Sequence, residues 1–234
     1  MIKRLALCCV VLIPVVVACA GDSQPAEAPE LLEVQYTAAA AGWLEQLEGC
    51  LPEGAPPVHA QERAAAFLDP SADLALRLGE PPDLLQPAYD LGSVEIVFIV
   101  NRLNPVGELD LQQARDLFSG RLRDWSELGG EAGTVQTWTY PQGEDLQQVL
   151  EAQVLQGQPP DSLAHLALDP GDVLQGVSLD PQALGFVPRP LATNEVRIVE
   201  SSHDLAEALT VPVLAITPAE PGQELLDWIG CLQQ

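Results

Sequence analysis

The spacing of apolar positions changes along the chain, and each change marks a new element. Residues 31–37, "LLEVQYT", alternate with a period of two and read as a strand. Thr37 then stands where a helix cap belongs, and "AAAAGWLEQLEGC" sets Trp43, Leu44 and Leu47 on one side of a helix. Residues 56–62 and 72–78 read as short strands. "SVEIVFIVN", residues 93–101, is almost continuously apolar and β-branched, as strands buried on both faces are. A helix follows with Asp110 as its cap and Phe118 near its end. Beyond it the pattern gives a strand at 134–140, a helix at 143–155 and a short helix behind Pro159-Pro160 at 159–168. Next come a helix at 171–177, strands at 183–188 and 195–199, a helix at 204–209, a strand at 213–217 and a closing helix at 222–232. Regular alternation of strand and helix predicts an α/β fold with largely parallel sheets.

One connector does not fit the ordinary composition of a loop. "DLFSGRLRDWSELGG", residues 116–130, ends a helix at Ser119-Gly120, then places Trp125 in a turn closed by Gly129-Gly130. Glycines permit sharp turns that side chains would block, and a tryptophan there is expected to plug a core.

The first residues belong to a different physical regime. Lys3 and Arg4 precede an apolar run from Leu5 to Val17, which reads as a secretory signal over residues 1–18. It ends in Val16-Val17-Ala18-Cys19, which resembles the lipobox of bacterial lipoproteins. The resemblance implies a lipidated Cys19, an anchor in the cell membrane and an extracytoplasmic location. Residues 19–30, polar and Pro-containing, read as a flexible tether.

Charge and cysteines narrow the partners. Lys3 is the only lysine, and loss of Lys3 and Arg4 with the signal leaves eight basic residues against 34 acidic ones, a net charge of −26. Such a surface repels nucleic acid and anionic headgroups. Cys8 and Cys9 leave with the signal, so Cys50 and Cys231 remain beside Cys19. Outside the cytoplasm two such cysteines are expected to pair, the rival being two separate buried thiols. No histidine or further cysteine stands at metal-ligand spacing, and no nucleophile elbow or phosphate-cradling glycine loop is present. No catalytic residue, metal or cofactor is expected.

The order of elements from Val94 to Gly130, with Val100-Asn101, Phe118-Ser119-Gly120 and Trp125-Ser126-Glu127-Leu128-Gly129-Gly130, resembles the phosphate-binding proteins of ABC importers. "QALGFVP" (182–188) resembles that family's strand on the return path, with "GDVLQGV" just upstream. The resemblance implies a two-lobed, type 2 periplasmic-binding-protein-like fold, α/β with mixed sheets, flanking helices and a two-strand hinge. The solute-binding-like domain would span 31–234, with lobe one at about 31–100 and 192–234 and lobe two at about 101–191. It also puts Cys50 and Cys231 in one lobe, which supports their disulfide.

The function implied is a monomeric, lipid-anchored binding protein that closes over a small solute and presents it to an ABC permease. In that family hydroxyls and helix N-termini hold the oxyanion. The matching places here are Thr37 and Ala38 in the first loop, and Tyr140, Gln142, Gly143, Glu144 and Asp145 in the second. Arg77, near the end of the third strand, could add a charge-assisted contact. Thr37 reads equally as a plain helix cap, and Arg77 as a solvated side chain. At the second place carboxylates stand where the family has hydroxyls, which disfavours a second anion and suits a polar or cationic ligand better. The alternative is a binding domain with a lapsed pocket, acting as a surface interaction or sensor module.

Overall fold

The computed structural model describes residues 31–233. The signal, Cys19 and the tether lie outside the described residues. In chain order, β1 (Leu32–Tyr36), α1 (Ala41–Cys50), β2 (Val58–Glu62) and β3 (Leu74–Leu78) come first, then the long β4 (Ala88–Asn101). β5 (Glu108–Leu109), α2 (Leu111–Phe118), β6 (Gln136–Thr139), α3 (Asp145–Val149) and β7 (His165–Leu166) follow. α4 (Pro170–Leu179), β8 (Ala183–Pro188), β9 (Val196–Ile198) and β10 (Glu200–Ser201) lead to α5 (His203–Ala208), β11 (Thr210–Ile216) and α6 (Gln223–Leu232).

Nine strands form one mixed sheet in the order β2-β1-β3-β11-β4-β8-β6-β7, with β9 also on β4. β4 belongs to both halves of this sheet. Its first part, from Ala88 to Glu95, pairs with β11, and Ile96 to Val100 pair with β8. This explains why the sequence pattern displayed only residues 93–101. The earlier part of β4 is half-exposed and polar at Asp90, while every residue from Ile96 to Asn101 is buried.

The expectation of largely parallel sheets is corrected at the centre. β1 is parallel to β2 and β3, and β6 to β8 and β7. β11, however, runs antiparallel to both β3 and β4, because the chain re-enters this half from the other one. The short helix expected at 159–168 is also absent. Two prolines precede Asp161, whose carboxylate accepts from the Leu163 amide at 3.1 Å and fixes a turn. His165 then joins the sheet beside Trp138 and stacks on its ring at 4.9 Å.

The helix before the punctuated connector is specified locally. The Asp110 carboxylate accepts from the Gln113 backbone amide, and the Gln113 side-chain oxygen accepts from the Asp110 backbone amide, a capping box. Its buried face, Ala114, Leu117 and Phe118, sits on the sheet, where Phe118 meets Phe98 at 5.2 Å and Phe186 at 5.5 Å. On the far side, α1 and α6 are joined by a disulfide between Cys50 and Cys231.

Candidate functional site

β1 and β3 are adjacent parallel strands, and their carboxyl ends open toward the other half of the molecule. Ligands of open α/β sheets bind at such ends. Thr37 follows β1 directly and is fully buried. Its hydroxyl does not cap the turn after it. Instead it donates to the Asp145 carboxylate Oδ2 at 2.5 Å. The backbone amide of Leu78, at the end of β3, donates to the same oxygen at 3.0 Å. Asp145 Oδ1 accepts from the Leu146 amide at 2.8 Å. A carboxylate from the second half therefore sits among donors from the first, with 2% of its surface exposed.

Arg77 is buried just beside this group. Its guanidinium donates from Nε to the Gly79 carbonyl at 3.1 Å and from Nη2 to Gln148 Oε1 at 2.8 Å. Burial lowers the Arg77 pKa, and the charge of Asp145 opposes that fall. At Asp145 burial is the largest influence and pushes the carboxyl up. The Thr37 hydroxyl, the Leu78 amide, Arg77 and the Leu146 amide pull it back. Glu144 is raised too, first by burial, with the Ala65 amide opposing and Asp145 and Glu62 adding repulsion.

The linkage sign follows from the upward shift at Asp145. A raised folded-state value means the folded protein binds this proton more tightly than the unfolded chain. The associated stability is present below the ordinary aspartate value of about 3.9 and is lost as pH rises through the raised folded value. Asp145→Asn removes this titration. The melting midpoint of wild type minus that of Asp145→Asn is therefore expected to fall as pH is raised from about 4 toward neutrality. A difference independent of pH would contradict a raised Asp145.

The rest of the loop closes over the same place. Gly143 has φ of 96°, and a Cβ there would lie 2.8 Å from the Ala66 Cβ. The Ala65 amide reaches Glu144 Oε2 at 3.4 Å. Gln142 is exposed. Tyr140 points away, donating its hydroxyl to the Phe186 carbonyl at 2.9 Å and packing on that ring. Ala38 borders the space left beside Tyr140, Glu144 and Asp145, which measures only about 10 Å³. One water needs at least about that much. A cavity of about 140 Å³ borders Arg77, and one of about 550 Å³ is lined by Arg77, Leu78, Asp145 and Gln148; neither is lined by a second cation.

Of the residues singled out in the sequence, the structure thus brings together Thr37, Arg77, Glu144 and Asp145. Gln148, which holds Arg77, and the Leu78 amide carried no signal in the sequence. Among the described residues no cluster of three His, Cys, Asp or Glu side chains suits a metal ion, and no helix is long and apolar enough to cross a membrane.

No family model and no curated protein matches the sequence. Solved structures do match the fold. A phosphate ABC transporter substrate-binding protein with bound phosphate from Clostridium perfringens superposes with a TM-score of 0.76 at 15% identity, covering 87% of this chain and 93% of that one. This chain folds as a phosphate-binding-protein-like domain. An ABC-type phosphate transport receptor from Vibrio cholerae gives 0.68 at 16% identity, with the same coverage. The CcmR regulatory domain of Synechocystis, in complex with 2-PG, gives 0.63 at 11%, covering 87% of this chain and 97% of that one. The two-lobed fold therefore occurs in both transport receptors and regulatory domains.

Proposed function

We propose that this phosphate-binding-like domain is an extracytoplasmic, lipid-anchored interaction or sensor module whose interlobe anion place is filled by its own side chain. One observation carries the reading. The donors at the ends of β1 and β3 already hold the Asp145 carboxylate, and the space on its Ala38 side is about 10 Å³, although a cavity of about 550 Å³ lies on its Gln148 side. A free oxyanion would meet a buried negative charge there instead of hydroxyl and amide donors. The Cys50–Cys231 disulfide accords with an oxidising compartment, and the lipobox-like Cys19 with a membrane anchor. The lobes are assigned to about 31–100 with 192–234, and 101–191, with β4 as one strand of the hinge.

The second reading is a solute-binding protein that delivers a small ligand to an ABC permease. It draws on the nearly full-length superposition with substrate-binding structures. A thermal-shift panel separates the two, using phosphate, sulfate, molybdate, amino acids, polyamines and sugars on the purified protein. A ligand at 100 times its Kd adds about 2.7 kcal/mol, a visible shift. The expected result is no shift with any of them. A clear shift with one would overturn the module reading and restore solute delivery.

A further inference from the structure

We infer that Asp145 is a tethered anion: its carboxylate occupies a receptor site made by the Thr37 hydroxyl and the Leu78 amide, and so holds the two halves of the domain closed without any solute. This rests on the reading of an interlobe anion place filled from within and names its occupant. Three features place the receptor in the first half of the molecule and its occupant in the second. The donors lie at the carboxyl ends of two neighbouring parallel strands, the usual location of a ligand in such sheets. The occupant arrives 108 residues later in the chain and is buried with both oxygens bonded. The contact is reinforced on either side, by Arg77 to Gln148 and by the Ala65 amide to Glu144.

A closed binding domain ordinarily needs its ligand, because the contacts that favour closure are made through it. Here the ligand is covalently part of the chain, so its effective concentration is fixed by the fold. The protein then presents one closed face to a partner at all times, whatever solutes surround it. The chemistry that the receptor recognises is a small oxygen anion.

Excising the anion and returning it from solution tests this directly. In Asp145→Ala, amide exchange at residues 143–148 and at Leu78 is expected to accelerate by roughly ten-fold relative to β4. Sodium formate, which has the size and charge of the removed group, should restore that protection at tens of millimolar and leave wild type unchanged. Adding Thr37→Val to Asp145→Ala should abolish the formate effect. Unchanged exchange in Asp145→Ala overturns the inference, as does a formate response that survives loss of the Thr37 hydroxyl. Should Asp145→Ala not fold, Asp145→Asn decides. Its amide group cannot accept at both ends, so exchange at Leu78 or Leu146 must accelerate by roughly ten-fold with β4 unaffected, and no change overturns the inference. Inorganic phosphate tells the two proposals apart. If it shifts wild type, the module reading fails, and tighter phosphate binding by Asp145→Ala supports the tethered anion whereas equal binding overturns it.

Discussion

Replacing Cys50 and Cys231 together by serine should lower stability by about 3–5 kcal/mol and the melting midpoint by about 10 °C. The bond closes a loop across a sequence separation of 181 residues, so reduced wild type has far more unfolded conformations to lose on folding. The local packing makes the loss hard to absorb. α1 carries Gly42 and Gly49 and buries only Leu47 of its ten residues. α6 contributes Trp228, Ile229 and Leu232 to the core and is the better seated partner. Without the bond, α1 should fray first, and exchange across residues 41–50 should rise before that of β4. Thermal melts of oxidised wild type, reduced wild type and the double variant measure the effect. The last two should agree, and a change of less than about 2 °C would mean that α1 is held by apolar packing alone.

How much of this was legible in one dimension varies with the kind of interaction. Local signals held in part: the Asp110 cap formed and the Gly129 that closes the Trp125 turn has φ of 78°, whereas Thr37 does not cap and no helix forms at 159–168. The core part of β4 was visible because burial on both faces leaves an unbroken apolar run. Its half-exposed beginning was not, since alternation there is blurred by Tyr89, Asp90 and Gly92. The two-residue strands β5 and β7 are held by their partners and not by any pattern of their own. The direction of β11 depends on where the chain has been, which composition does not record.

The candidate site follows the same division. Thr37 and Asp145 each stood out, but an aspartate at a helix start looks like a cap, and Asp145 is instead the first residue of α3, after Glu144. Its Oδ1 does meet the adjacent Leu146 amide, while Oδ2 crosses to Thr37 and Leu78. No sequence spacing reveals that second partnership. Arg77 looked like a solvated or ligand-facing cation, yet it is buried among backbone carbonyls and Gln148. A strongly acidic chain with few cations gives no hint of which one will be enclosed.

Trp125→Ala should be the most damaging single substitution in the second half of the molecule, costing about 3–5 kcal/mol. The indole is 1% exposed, and its Nε1 donates to the Gln182 carbonyl at 3.0 Å. The connector is built to deliver it. Asp124 accepts from the amide and hydroxyl of Ser126, the Trp125 amide donates to Gly133, and Gly130 donates back to the Trp125 carbonyl. A side chain at Gly130 would be tight, since a Cβ would lie 3.0 Å from the Trp125 carbonyl oxygen and 3.1 Å from Val106. Two contributions can be told apart. The Gln182 carbonyl also accepts from the Gln136 amide at 2.9 Å, so loss of the indole N–H does not leave it bare. Trp125→Phe, which retains most of the volume, should therefore cost only about 1 kcal/mol. Denaturant melts of both variants check this. Equal losses would mean that the hydrogen bond orients the turn and that filling the core is secondary. A large loss in alanine with a small one in phenylalanine would establish the tryptophan as a plug, and would explain why this connector carries so large a side chain between glycines.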